Sequence, residues 1–352
     1  MKKIFLVLFL LPLLVVAQIP NYYNGIDFSL TGDALKAELS NLITNTHTTE
    51  LPYTSSLTDT WDVLRQTDLN PNNTSEVLLL YGYDDLDAVT KNDSKRDKNL
   101  SCHVSSCIGL WNREHVYAKS LATPSLQTDD PGAGTDIHSL RSCDGQMNSS
   151  RNNRPYESGS GNAGITNNGN WYPGDEWKGD VARMMMYIYV RYPSQCLATN
   201  VGVGSASYSN FGDMPNIFLD WNEQDPVSQY ERNRNDVLEG IQGNRNPFID
   251  NPYLATIIWN GPIATDTWAV LSSQDVWFKN VFVYPTLTED YVYIEAGNKE
   301  EFVYYVYNTL GQLIKSGSTD YKINLSNQLE GMYFIKLTLG GAQEKTFRIF
   351  VK

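Results

Sequence analysis

Two short blocks of this sequence carry residue types that together could break a phosphate ester. Residues 111–116 read WNREHV and residues 136–153 read DIHSLRSCDGQMNSSRNN, holding two of the chain's four histidines. An imidazole titrates near ~6.5, so at neutral pH His115 is mostly a free base able to take a proton from water. A lone histidine is more often structural, and its neighbours change the balance. Glu114 is a hard oxygen donor suited to Mg²⁺ or Ca²⁺, and Asn148 offers a neutral carbonyl oxygen of the same hardness. Two protein oxygens plus waters are a common way to hold Mg²⁺ when a substrate phosphate completes the shell. Glu114 and His115 are adjacent, so on a regular strand they leave opposite faces. Both reach one site only where the strand ends, twists or bulges, and irregular backbone is expected there.

The elements that must position these residues follow from periodicity. Leu35, Leu39, Leu42 and Ile43 have helical spacing over 31–43, and a second helix is expected to begin over 58–64 with Trp61 and Leu64 on one face. The apolar run 77–83 reads as a buried strand, 84–100 as an exposed loop, and a strand begins near Ile108. Residues 159–177, dense in Gly and Asn, read as a long surface connection, the kind of loop that often carries function. Val181, Met184, Met185, Ile188 and Tyr192 make one stripe of a helix, with the methionines as core filler. A further helical stretch runs from Phe218 through Tyr230, Val237 and Ile241 and should stop at Gly243, with 242–252 as a turn. From residue 281 the pattern becomes period-two in Tyr, Val and Ile with Gly311, Gly331 and Gly340-Gly341 between runs, a small all-β sandwich.

Composition sets bounds on this reading. The chain has 352 residues, 41% of them hydrophobic and 12% aromatic, enough for more than one packed core. Its net charge of −13 argues against a generic nucleic-acid binder, unless acid is segregated from the site or a metal ion supplies local positive charge. Lys2 and Lys3, an apolar run, and Val15-Val16-Ala17 make 1–17 a secretory leader, and no later stretch is long and apolar enough to span a membrane. Four cysteines suit an oxidising compartment and allow three pairings. Cys102-His103 with Cys107 lacks a second ligand pair for zinc, so a Cys102–Cys107 loop disulfide is the simpler expectation.

These blocks resemble the bacterial endonuclease I family, secreted nonspecific nucleases with a ββα-metal active site. The likeness extends to residues 60–64 and 80–82, to GDVARMMMYIYVRY, and to WNEQDPVSQYERNRN with QGNRNPFIDNP, so it covers roughly 25–260. It implies His115 as general base, Glu114 and Asn148 as ligands of one divalent ion (Mg²⁺ first, Ca²⁺ or Mn²⁺ as alternatives), and His138 as a site-supporting residue. It also implies hydrolysis of DNA, with RNA as a second substrate, to 5′-phosphate ends. The chain departs from the family in having no arginine over 116–139 to meet the transition state. Arg151, three residues after Asn148, is the first candidate for that role, with Arg141, Arg154 and Arg183 behind it. Arg113, Arg154 and Arg183, with Lys119, Arg232, Arg234 and Arg245, are candidate phosphate contacts.

The tail, with VYPTLTEDYVYI, YNTLGQLIKSG and LEGMYFIKL, resembles the C-terminal sorting domain of the type IX secretion pathway. That likeness implies a secretion machinery as partner and a secreted or cell-surface location. The expected class is α+β: a ββα-metal nuclease domain with additional helices, followed by a small all-β sandwich. The expected division is leader 1–17, catalytic domain 18–265, linker 266–280 and sorting domain 281–352. The competing functional reading is a surface adhesion or binding protein on an inactive nuclease-like scaffold; the complete set of Glu114, His115 and Asn148 speaks against it.

Overall fold

The helix expected over 31–43 forms as α1 (Gly32–Asn45), and its Leu35, Leu39 and Ile43, four apart, are fully buried. The computed structural model describes residues 19–268, 281–296, 301–319, 321–339 and 343–352. The expected leader, all of 269–280 in the expected linker, and Gly340-Gly341 lie outside them. The chain divides into two compact units, one ending at Trp268 and the other spanning 269–352.

In the first unit, α2 (Thr60–Thr67) begins at a capping box: the Asp59 carboxylate accepts from the N–H groups of Trp61 and Asp62, and Asp62 answers to the Asp59 N–H. β1 (Leu69–Asn70), β2 (Asn73–Leu78) and β3 (Lys95–Asp97) form an antiparallel sheet in that order. The strand expected over 77–83 therefore lies earlier, and Leu79, Leu80 and Tyr81 are buried without being strand. The expected loop over 84–100 contains β3, where Arg96 is buried because its guanidinium is neutralised: it donates to Asp144 Oδ2 (2.5 Å) and Asp93 Oδ2 (3.0 Å). β4 (Trp111–His115) pairs antiparallel with β5 (Leu140–Asp144), which runs directly into α3 (Gly145–Arg151). The Asp144 carboxylate caps that helix by accepting from the N–H groups of Gln146 and Met147.

Beyond this ββα unit, β6 (Gly164–Ile165) and β7 (Trp171–Tyr172) form a short hairpin inside the expected long connection. α4 (Lys178–Arg191) is buried on every face from Gly179 to Val190, rather than along one stripe. It is the central helix of the unit, packed against α1, α5 (Asn216–Gln224) and α7 (Pro247–Asp250). The helical stretch expected from Phe218 to Ile241 is two helices, because Asp225-Pro226 breaks it before α6 (Gln229–Gln242). α6 does end at Gly243, whose φ of 91° suits glycine, and the expected turn after it holds α7 and leads into α8 (Tyr253–Trp259). One hydrophobic core joins Trp61, Val63 and Leu64 of α2 to Val77, Trp111, Ile137, Leu140 and Leu238, and so backs β4 and β5.

The second unit is all β. β8 (Phe282–Tyr284), β10 (Tyr291–Glu295) and β13 (Lys322–Asn324) form one sheet in the order β13-β10-β8. β9 (Leu287–Thr288), β11 (Phe302–Asn308), β12 (Leu313–Thr319), β14 (Gly331–Leu339) and β15 (Gln343–Val351) form the other, in the order β12-β11-β14-β15-β9. Val283, Val292, Ile294, Val306, Ile335 and Ile349 fill a shared core, a sandwich built by period-two alternation. Among the described residues no helix of either unit is long and apolar enough to cross a membrane.

Candidate active site

β4 is regular to its last residue. Every position from Trp111↔Asp144 to His115↔Leu140 is paired without a register shift, and Val116 N–H still donates to Ser139 O at 3.1 Å. Of the three forms expected at Glu114-His115, an end, a twist or a bulge, the structure has the first: the strand ends at His115. Trp111, Arg113 and His115 leave one face toward α2, and Asn112 and Glu114 leave the other toward α3, as the pleat dictates.

On the α3 face Glu114 is 2% exposed. Its Oε1 accepts from the Tyr81 hydroxyl at 3.1 Å and lies 3.4 Å from Arg151 Nη1. Burial pushes its carboxyl up to about 7, against the downward pull of Arg151 and the Tyr81 hydrogen bond. Asn148 Nδ2 donates to Asn112 Oδ1 (2.8 Å) and to Arg113 O (3.3 Å). Glu114 and Asn148 therefore flank the same side of β4, and each leaves one oxygen, Oε2 and Oδ1, with no protein donor among the described residues.

Arg151 ties this side together but is not open to a substrate. It is 1% exposed; Nη1 donates to His115 O (3.1 Å), Nη2 donates to Val116 O (2.8 Å), and the guanidinium lies 4.9 Å from the Tyr156 ring centre. Tyr156 donates to Val116 O (2.8 Å) and its hydroxyl is 2.8 Å from that of Tyr81. Both tyrosines escaped the sequence reading. Tyr81, at a φ of 73°, is a non-glycine residue in the left-handed region, a signal that only the folded backbone displays.

On the opposite face His115 is half-buried. Its Nε2–H donates to Gly134 O at 2.8 Å, which leaves the lone pair on Nδ1. The ring stacks 5.4 Å from Tyr53, and Arg113 is held between Tyr53 (3.4 Å) and Trp61 (4.1 Å). Burial lowers the imidazole to about 4; the Gly134 bond opposes this, while Lys119, Arg113 and Arg151 add to it. Lys119 Nζ reaches only the Thr128 hydroxyl, at 3.3 Å, among the described residues.

The remaining expected residues separate by burial. His138 is 2% exposed, donates to Asn244 O at 3.2 Å and packs 4.4 Å from the Tyr187 ring, so it braces the segment before β5. Arg154 is half-buried, with Nη1 donating to Ser150 O at 2.6 Å beside the end of α3. Arg183, expected to bind substrate, is instead fully buried and forked onto Glu231 at 2.6 and 2.9 Å, joining α4 to α6. Arg141 and Arg234 are likewise buried, paired with Asp180 and Asp68, and Arg245 is held by Asp236, Glu239 and Asp250. Cys102 and Cys107 form the expected loop disulfide, while Cys143 and Cys196 are free and buried.

A divalent ion can be tested against this donor set. No group of three or more His, Cys, Asp or Glu side chains able to hold a metal occurs among the described residues. A carboxylate oxygen and an amide oxygen, both hard and both without a protein donor, fit an ion that keeps most of its shell as water and phosphate, as Mg²⁺ does.

A strand pair runs directly into a helix, with the imidazole on one face of the first strand and the carboxylate and carboxamide on the other. Residues 31–253 match the family described as Endonuclease I, and the chain belongs to that family. Residues 282–352 match the secretion system C-terminal sorting domain. The chain is similar to the extracellular ribonuclease of Bacillus subtilis (strain 168), 40% identical over 256 residues that cover 69% of this chain and 80% of that protein. It is also 40% identical, over 242 residues, to the extracellular ribonuclease of Bacillus amyloliquefaciens, covering 65% of this chain and 75% of that one. The protein is a secreted nuclease with a C-terminal sorting domain.

Proposed function

We propose that the protein hydrolyses phosphodiester bonds of DNA and RNA without sequence preference, at the end of β4, with His115 as the general base. Nδ1 takes the proton from a water, and the Gly134 carbonyl keeps the tautomer by accepting from Nε2–H. Glu114 and Asn148 would hold one divalent ion, which when bound supplies positive charge for the phosphate and the departing 3′-oxygen. Arg151 acts as a positioning residue: one guanidinium contacts Glu114 and the backbone carbonyls of His115 and Val116, and so holds the strand end between the two faces. Lys119 takes the transition-state role in its place, since its charge acts on His115 and its Nζ meets only the Thr128 hydroxyl among the described residues. The 3′-oxygen leaves as an alkoxide and takes a proton from solvent water, and the phosphate stays on the 5′ side.

The observation that carries this reading is a free Nδ1 and an uncommitted carboxylate oxygen on the last two residues of β4, with the uncommitted oxygen of Asn148 beside the same strand. Because water is the nucleophile, the 2′-hydroxyl of RNA is not needed. Both Bacillus relatives are named as ribonucleases, so RNA is tested on equal terms with DNA. The purified chain is incubated with plasmid or with RNA in Mg²⁺, with and without EDTA, and the product ends are analysed. Cleavage of both to 5′-phosphates, stopped by EDTA and slowed about 10²–10⁴-fold in His115→Ala, is the expected result. A His115→Ala chain that cuts as fast as the parent sinks the assignment, as does release of 2′,3′-cyclic phosphates from RNA.

A further inference from the structure

We propose that a cleft beside α3, lined by Lys91, Ser105, Ser106, Asn112, Gln146 and Ser149, binds a backbone phosphate of the substrate strand adjoining the one that is cut. The inference rests on the reading of Glu114, His115 and Asn148 given above.

The cleft has a volume of about 460 Å³, within the ~300–1,000 Å³ usual for small-ligand sites. It is continuous with the active site through Asn112, which lines it and whose Oδ1 accepts from Asn148 at 2.8 Å. Charge separates it from three other clefts of this unit. One of those is lined by Asp175 and Glu176, a second by Glu157, and a third by Asp175, Glu176, Asp180 and Asp225. The cleft beside α3 has no carboxylate in its lining and has one lysine. In a chain of net charge −13, a polyanion meets less repulsion there than in those three.

Lys91 makes no hydrogen bond or ion pair with any described residue, whereas Lys36, Lys95, Arg96, Lys178 and Arg245 are each paired with carboxylates. Its position is nonetheless fixed. It sits on the 3-10 turn Thr90–Asn92, and buried Arg96 joins that turn to α3 by donating to Thr90 O (2.5 Å) and to the helix-capping Asp144 (2.5 Å). The opposite wall is the loop closed by the Cys102–Cys107 disulfide, which carries Ser105 and Ser106. A Cβ at Gly145 would lie 2.3 Å from Cys107 Cβ, so glycine is required for this loop to rest on the start of α3. The cleft is thus largely formed before a strand arrives, which reduces the ordering cost of binding. Its cation, hydroxyls and amides suit phosphate and sugar oxygens and leave the bases unread.

The test uses the full chain and a fluorescein-labelled oligonucleotide in EDTA, with anisotropy followed at rising NaCl. Lys91→Glu should weaken binding about tenfold or more and reduce the slope of log affinity against log salt by about one, the signature of one lost phosphate contact. Lys315→Glu, the same change of charge in the C-terminal unit, should leave both unchanged. Equal affinity and slope in parent and Lys91→Glu overturn the proposal. So does an equal loss in Lys315→Glu, or a parent that does not bind. Cleavage in Mg²⁺ is measured separately: a parent that binds as described but never cuts would sink the active-site reading and leave the cleft standing.

Discussion

At the scale of single residues, burial decides which cations can meet a substrate. Arg151 has the right address, one turn after Asn148, yet at 1% exposure its donors face Glu114 and three backbone carbonyls. Replacing it with Leu leaves Glu114 buried without its counter-ion, a loss of about 3–5 kcal/mol. Urea unfolding of Arg151→Leu should show that loss; unchanged stability with collapsed turnover would instead make Arg151 a transition-state group. Lys119 is the converse case. Its only described partner is a threonine hydroxyl, so Lys119→Ala should keep the parent's melting temperature while kcat falls about 10²-fold. Turnover at the parent's rate would remove Lys119 from the mechanism. The difference between the two was not visible in the sequence, because both are simply basic residues near a histidine and a glutamate.

At the scale of elements, the order strand, strand, helix came with the family resemblance, while α1 and the stop of α6 at Gly243 were legible from residue types, because period and glycine conformation are local properties. Long-range packing was not legible. Nothing local tells α4 that α1, α5 and α7 cover its outer face, or tells Arg96 that Asp144 will neutralise it in β3. The Pro226 break was readable, but the apolar spacing on either side hid it. Tyr81 and Tyr156, which brace the Glu114 face, come from segments 75 residues apart. β4 stays regular through the adjacent Glu114-His115 pair and ends there, with no bulge. The connection after β4 then has to return its Gly134 carbonyl to His115. A Cβ at Gly134 would lie 1.9 Å from Gln127 O, so Gly134→Ala must shift that loop. A displacement of about 1 Å can lower kcat by about 10²-fold. Gly134→Ala should therefore lose activity while far-UV circular dichroism still reports a folded chain. Full turnover in that variant would mean that the carbonyl does not set the tautomer.

At the scale of the whole molecule, a net charge of −13 has to coexist with a polyanionic substrate. General attraction is weak, so affinity is local: the cations on the His115 face and a neighbouring cleft without carboxylates. All of these lie in the unit that ends at Trp268, and the sandwich has its own apolar core. Chemistry and export are therefore separable. A chain truncated after Trp268 should cut RNA and plasmid at the full chain's rate and unfold in one cooperative step. Expressed in its own host, it should remain with the cells while the full chain reaches the medium, since residues 282–352 carry the sorting domain. Activity assays on the purified protein and on cell and medium fractions read the two properties independently. Loss of cleavage from a folded truncated chain would show that the sandwich contributes to catalysis. Undiminished export would show that the address lies elsewhere in the chain.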